Sequence, residues 1–299
     1  MATMGTTIER QSQRGLPQGA IVALIAGGGS LPVDLAARLT ESGQSAVILP
    51  IRGEANADER FGGLPCEPIA LEEFGSLMSR LKRLKITHVL MAGTVERRPK
   101  IAAMRPHIGL LPALVDVARA LFRGDDNLLR AVVGHIEKQG IHVISAQDIM
   151  PDLLANAGLI AGPKPARRDH ADIAAGYAAA KAIGSLDIGQ AAIAIGGRTI
   201  ALEGVEGTEG LLERTVTLRS HGRLAGATGG VLVKCAKPEQ EMRVDLPAIG
   251  PDTVDAAQRA GLNGIALEAG RSLILEREET LRRAGESKVF IYGVEAEDR

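Results

Sequence analysis

The sequence predicts an α/β protein of two α/β domains, the first a Rossmann-like open sheet, joined by a Gly/Pro linker. Three observations carry this. Continuous apolar runs such as AIVALIA (20–26) and THVLMA (87–92) have the length and composition of strands buried on both faces of a parallel sheet. Segments with helical apolar spacing alternate with them, which is the pattern of an open α/β sheet. The chain has 299 residues, enough for two such domains, and a stretch rich in Gly and Pro lies near its middle.

The first domain is expected over 20–150. Strand 20–26 runs into Gly27-Gly28-Gly29-Ser30, and LPVDLAARLTESG then places Leu31, Leu35 and Leu39 on one helical face. A strand, a glycine turn and a helix N-terminus present backbone N–H groups to an anion. Gly28, Gly29, Ser30 and Leu31 are therefore candidate phosphate contacts, with a purely structural tight turn as the alternative. The pattern lacks the third glycine of the dinucleotide fingerprint and the Gly-Lys-Ser/Thr of a P-loop. Residues 46–51 read as the second strand, and 71–85 as an amphipathic helix with Leu71, Phe74, Leu77, Met78, Leu81 and Leu84 on one face. Strand 87–92 ends at Gly93-Thr94. The following loop carries Arg97, Arg98, Lys100 and Arg105, either cover for an anionic substrate or ordinary solvated charge. Two helices, 108–122 and 125–139, are split by Gly124, with Asp125 or Asp126 as a cap, and 141–145 is a last strand. The linker is expected over 151–168, where Gly158, Gly162, Pro163 and Pro165 fall.

The second domain is expected over 169–299. It opens with an Ala-rich helix, 169–184, followed by a hairpin of strands 191–195 and 199–203 across Gly196-Gly197-Arg198. In EGVEGTEG, Glu203, Glu206 and Glu209 recur every third residue; Thr208 is expected to cap a helix over 209–220. Glu209 either complements the helix dipole or touches substrate or metal. A helix at 252–260, strands at 264–268 and 272–275, a helix at 277–284 and a strand at 289–292 complete the domain.

The stretch 229–253, GGVLVKCAKPEQEMRVDLPAIGPDT, concentrates the chemistry. An apolar strand, Val231-Leu232-Val233, leads to Lys234 and Lys237; a second extended run, Met242-Arg243-Val244, ends on Asp245. Two ammonium groups, a guanidinium and a carboxylate suit a phosphate anhydride: cations for its oxygens, a carboxylate for a metal or a water. A surface hairpin with solvated charges is the alternative.

Composition excludes several classes. A net charge of −1 argues against nucleic-acid binding through bulk charge, and 2% aromatic content without Trp leaves no stacking platform for bases. Cys66 and Cys235 stand apart from any metal-type spacing and read as small core residues of a cytosolic chain. The six histidines form neither HxxxH nor HExxH, so a working metal would have hard oxygen ligands, Mg²⁺ or Mn²⁺. Residues 1–19 are polar, without the apolar core of a signal peptide, and are expected as a disordered leader. No apolar stretch reaches the roughly 18 residues of a spanning helix. An NAD(P) oxidoreductase is disfavoured, since Pro50-Ile51-Arg52 stands where the second strand would end on an acid.

The segments IAGGGSLPVDLA, MAGTVERRP, GDDNLLRAV, PDLLA, EGVEGTEGLLER, GGVLVKCAKPEQEMRVDLPAIGPDTV and AGLNGIALEAGRSLILER, in this order, resemble the LpxI-type UDP-2,3-diacylglucosamine pyrophosphatases of lipid A biosynthesis. The resemblance spans about residues 21–293. It implies two α/β domains with substrate between them, and hydrolysis of UDP-2,3-diacylglucosamine to UMP and 2,3-diacylglucosamine 1-phosphate with Mg²⁺ or Mn²⁺. Asp245 matches the aspartate of the family's R-x-D-x-P motif and would be the catalytic, metal-associated carboxylate. Gly28 to Leu31, Gly93, Thr94, Arg97, Thr208, Glu209, Lys234, Lys237 and Arg243 would bind substrate. The family's usual aspartate at position 209 is a glutamate here. A cytoplasmic enzyme in transient contact with the inner membrane surface is expected, with a homodimer left open. A non-catalytic nucleotide or lipid carrier is the alternative.

Overall fold

The apolar runs of the first half pair as four parallel strands, β1 (Ile21–Ala26), β2 (Ser45–Pro50), β3 (His88–Ala92) and β4 (His142–Ile144), in the order β2-β1-β3-β4. The computed structural model describes residues 16–55, 61, 63–95, 97, 125–224, 226–238 and 240–295. They divide into two units, residues up to Asp152 with Glu241–Asp245, and Leu153–Gln240 with the chain from Leu246 onward.

In the first unit, α1 (Leu31–Glu41) lies against β1 and β2 with Leu35 and Leu39 buried. The other face holds a core in which Ala23, Ile25 and Leu49 meet Leu77 and Leu81 of α2 (Phe74–Arg83) and Val133 and Ile136 of α3 (Asp125–Glu137). Apolar residues on both strand faces thus receive helices on both sides, as the unalternated strand sequences demand. The helix expected over 71–85 begins as a 3-10 turn, Leu71–Glu73, before α2. Residues 16–19 end in a turn in which the Ala20 N–H donates to Pro17 O at 3.0 Å; the rest of the expected leader, the helix 108–122, and Arg98, Lys100 and Arg105 lie outside the described residues.

His88 and His142 are in register on β3 and β4, their rings 5.3 Å apart and tilted by 32°. Burial, and then the neighbouring His142, hold the His88 pKa below its ordinary value. The unfolded chain therefore binds this proton more readily than the folded one. Stability from His88 is present above its unfolded pKa of about 6.5 and is lost as pH falls from there through the folded value. Thermal melts taken from about pH 7 to about pH 5.5 should show a falling Tm, and His88→Asn should flatten that slope; an unchanged slope would remove His88 as its source.

The second unit is built on six strands in the order β5-β12-β10-β8-β6-β7. At its centre β8 (Val231–Lys234), β10 (Gly264–Glu268) and β12 (Phe290–Val294) are parallel. β6 (Ala191–Ile195) and β7 (Arg198–Leu202) form the expected hairpin, with Gly196 and Gly197 both at positive φ, as a type I′ turn requires. Strand alternation divides the core. Ile193, Leu232, Ile265 and Leu267 face α6 (Gly207–Leu218), α7 (Pro251–Arg259) and α8 (Arg277–Ser287). Ala192, Val233 and Ala266 face α5 (Arg167–Ser185). The alanine bias has a steric use here: a Cβ on Gly176 of α5 would run into the Val233 side chain, so small residues let this helix lie close to the sheet.

Residues 151–168 are not a free tether. They contain β5 (Gly158–Ala161), antiparallel to β12 at the sheet edge, and the boundary between the two units falls at Asp152/Leu153. The Gly and Pro that suggested a linker serve a folded edge: a Cβ on Gly162 would lie 2.5 Å from Val289 O. The remaining elements are α4 (Ala146–Ile149) and a small parallel pair, β9 (Ala248–Ile249) with β11 (Leu273–Ile274). No helix among the described residues is long and apolar enough to cross a membrane.

Candidate functional site

In the first unit the strand order reverses direction between β1 and β3, and open α/β sheets bind ligands beyond the carboxyl ends of strands at such a point. The loops leaving β1 and β3 cross there in direct contact. Gly27 N–H donates to Ala92 O at 2.8 Å, Gly28 N–H to Thr94 O at 2.8 Å, and Thr94 N–H to Gly28 O at 3.0 Å. A Cβ on Gly27 would collide with Thr94 O, and one on Gly28 would stand 3.0 Å from Thr94 Oγ1 and 3.2 Å from Glu54 O. Glycine is required because three loops, those after β1, β2 and β3, pack main chain to main chain. The expected anion cradle is accordingly narrower than the sequence suggested. The N–H groups of Gly27 and Gly28 are spent on the β3 loop. Those of Gly29, Ser30 and Leu31 face no main-chain acceptor among the described residues and open the N-terminus of α1.

Arg97 joins this edge as a clamp. Its Nη2 donates to Arg52 O at 3.0 Å, its Nη1 lies 3.5 Å from Glu72 Oε1, and its Nε and backbone N lie 3.7 and 3.1 Å from Glu54 Oε1. Gly28, Gly29, Ser30, Leu31, Gly93, Thr94 and Arg97 are thus brought to one edge, with Glu54 added as a carboxylate the sequence reading missed.

The segment Glu241–Asp245 belongs to this same unit although it comes from the second half of the chain. It is a turn, not the extended run expected for Met242–Val244: the Val244 and Asp245 N–H groups both donate to Glu241 O at 3.1 Å. Its side chains explain the difference. Val244 packs on the apolar core of the unit. Arg243 donates from Nε and Nη2 to Glu241 at 2.8 and 2.9 Å, and from Nη1 to Glu137 of α3 at 2.6 Å. Hydrogen bonding to Glu241 raises the Arg243 pKa, and the same contact holds the Glu241 carboxyl below its ordinary range. Arg243 is therefore a two-carboxylate anchor that sets Asp245, half-buried, at the last position before the chain returns to the second unit. Among the described residues no three His, Cys, Asp or Glu side chains converge to hold a metal.

In the second unit the polar residues collect at one end of the sheet. Lys234, buried at the end of β8, donates to Ala248 O at 3.0 Å. Lys237 pairs with Asp187 at 2.6 Å. A chain of hydrogen bonds runs from its main chain to Thr208: Lys237 N–H to Gln240 Oε1 at 2.9 Å, Gln240 Nε2 to Gln190 Oε1 at 3.3 Å, Gln190 N–H to Glu203 Oε2 at 2.7 Å, and Thr208 Oγ1 to Glu203 Oε1 at 2.7 Å. Thr208 does not cap its helix. α6 starts at Gly207, so Thr208 lies inside the first turn and its hydroxyl serves Glu203. Glu209 is exposed in that turn. Close by, Glu268 at the end of β10 binds Lys181 of α5 through both oxygens at 2.8 Å. Cys235 is buried beside them, and burial, then Glu268, push its thiol up to about 12, an unreactive core residue. Sequence reading passed over Lys181 and Glu268. The available signal was a carboxylate ending the otherwise apolar strand GIALE.

Comparison with known proteins covers both units. The LpxI N-terminal domain model matches residues 21–153 and the LpxI C-terminal domain model residues 156–292. A curated relative from Caulobacter vibrioides, named UDP-2,3-diacylglucosamine pyrophosphatase LpxI, is 37% identical over 287 residues, 93% of this chain and 99% of the relative. Among solved structures, CobK precorrin-6A reductase has a TM-score of 0.31 at 12% identity, covering 93% of this chain and 89% of its own. A UDP-glucose 4-epimerase from Thermus thermophilus has a TM-score of 0.30 at 13% identity, covering 92% and 86%. Likeness at that level carries no argument. With both family domains matched in order along nearly the whole sequence, the chain belongs to the LpxI family.

Proposed function

We propose that this protein hydrolyses the pyrophosphate bond of UDP-2,3-diacylglucosamine, giving UMP and 2,3-diacylglucosamine 1-phosphate in lipid A synthesis. The observation that carries the reading is the 37% identity, over nearly the full length of both chains, to a relative named for that reaction. The arrangement of side chains supports it. Asp245 stands on a turn whose position is fixed by Arg243 and Val244, and so offers a carboxylate at low reorganisation cost. In this reading Asp245 accepts the proton of the attacking water as its oxygen bonds to the sugar-side phosphorus, and the bridging oxygen departs with UMP. The N–H groups at the start of α1, in the same unit as Asp245, offer donors to phosphate oxygens; in the second unit, Lys234 and Lys237 are the proposed substrate-binding cations. A substrate with two acyl chains places the work at a membrane surface, on the cytoplasmic side.

Asp245 is the side chain that would hold a hard divalent cation, which takes carboxylate oxygen. Bound there, Mg²⁺ or Mn²⁺ would neutralise charge on the phosphates.

Purified protein incubated with UDP-2,3-diacylglucosamine and Mg²⁺ should yield UMP and the sugar 1-phosphate by mass spectrometry. EDTA should lower the rate by at least about 100-fold, and added Mg²⁺ or Mn²⁺ should restore it. Substrate that co-purifies or binds but stays intact would instead favour a carrier. Turnover untouched by EDTA would remove the metal and keep the hydrolase.

A further inference from the structure

Residues 235–238 follow β8 without regular structure, yet their main chain is tied down. Cys235 N–H donates to Gln190 O at 3.0 Å, and Lys237 N–H to Gln240 Oε1 at 2.9 Å. Ala236 is held most tightly. Its N–H donates to Glu268 Oε2 at 2.9 Å, and its C=O accepts from Lys181 Nζ at 3.0 Å. Those two side chains are themselves paired at 2.8 Å through both carboxylate oxygens, with Glu268 only 1% exposed. Both polar groups of one residue are therefore claimed by this ion pair, whose carboxylate Oε1 also lies 3.4 Å from Arg271 Nη1.

We infer that the Lys181–Glu268 pair is a positioning device for catalysis. It fixes the Ala236 peptide groups, and with them the path of the second-unit chain that carries Lys237. Stability alone does not call for it, because an apolar pair of similar volume in such a place is often as stable or more so. An apolar pair cannot, however, orient a peptide N–H and C=O. Reach and direction are what the ion pair adds, and small displacements of reacting groups are costly, on the order of 100-fold in rate per 1 Å. This rests on Lys237 having the role proposed above.

The test compares the wild type with the Lys181→Met/Glu268→Leu double variant, the isosteric Glu268→Gln variant and Asp245→Ala, in the full chain on UDP-2,3-diacylglucosamine. The double variant should fold, shown by circular dichroism and thermal melting, and lose about 100-fold in kcat with KM changed less than about threefold. Glu268→Gln keeps an acceptor for Ala236 N–H but no longer balances Lys181, and should lose about tenfold in kcat. A merely structural pair would lower Tm and leave kcat of the folded fraction at the wild-type level. That result in either folded variant overturns the inference; if the double variant does not fold, Glu268→Gln decides alone. Asp245→Ala separates the two levels. Should it retain turnover, the underlying site reading has failed; should it be inactive while both pair variants turn over normally, only the positioning role has.

Discussion

Asp245→Ala is expected to lower kcat by about 1,000-fold in a protein that still folds. The two halves of this expectation have separate causes. Turnover is expected to depend on the carboxylate because the other ionisable groups of the turn, Glu241 and Arg243, are locked to each other, with Glu137 on the far side of the guanidinium. The variant is expected to fold, because the turn is also held by Val244 in the core, by Arg243 and by main-chain bonds to Glu241 O. Asp245→Asn keeps the size and removes the proton acceptor, so it should behave like the alanine variant. Rates on UDP-2,3-diacylglucosamine beside thermal melts check both halves. Near-wild-type kcat in a folded Asp245→Ala protein would sink the assignment.

That the Asp245 turn belongs to the first unit was not legible in the sequence. Periodicity reports which face of a segment is apolar, and Met242-Arg243-Val244 alternates as a strand would. The deciding contacts are with Glu137, roughly a hundred residues earlier, and no local pattern encodes them. The same limit explains residues 151–168, whose Gly and Pro mark a tether or a tightly packed edge strand equally well. By contrast, β1, β3, β8 and β10 were readable because continuous apolar runs have few other stable environments. The glycines after β1 were read as a ligand loop. Of the four candidate contacts Gly28, Gly29, Ser30 and Leu31, the Gly28 N–H is instead paired with the loop after β3, a partnership visible only once β1 and β3 are neighbours.

Those crossing loops lead to the other large effect. Gly93→Ala should destabilise the first unit by about 3 kcal/mol and lower Tm by roughly 10 °C. Gly93 sits at φ +93°, which costs an L-residue about 1–2 kcal/mol. An added Cβ would also lie 2.5 Å from Gly28 O and 2.8 Å from Pro32 Cγ. Neither neighbour can give way cheaply, since one is main chain hydrogen-bonded to Thr94 and the other is a buried ring in the first turn of α1; overpacking of this kind costs about 1–3 kcal/mol more. The relief open to the protein is to part the β1 and β3 loops, which carries Thr94 and Arg97 away from Gly28–Ser30. Activity below Tm should therefore fall as well, by about 100-fold if the displacement approaches 1 Å. Gly29→Ala is the control. It shares the left-handed φ, at +91°, but its Cβ would meet nothing within 4 Å, so the backbone strain of about 1–2 kcal/mol is all it should show. Equal losses in the two variants would mean that backbone conformation alone requires glycine at Gly93. A much larger loss at Gly93 would locate the requirement in the contact between loops, the same contact that takes up the Gly28 N–H.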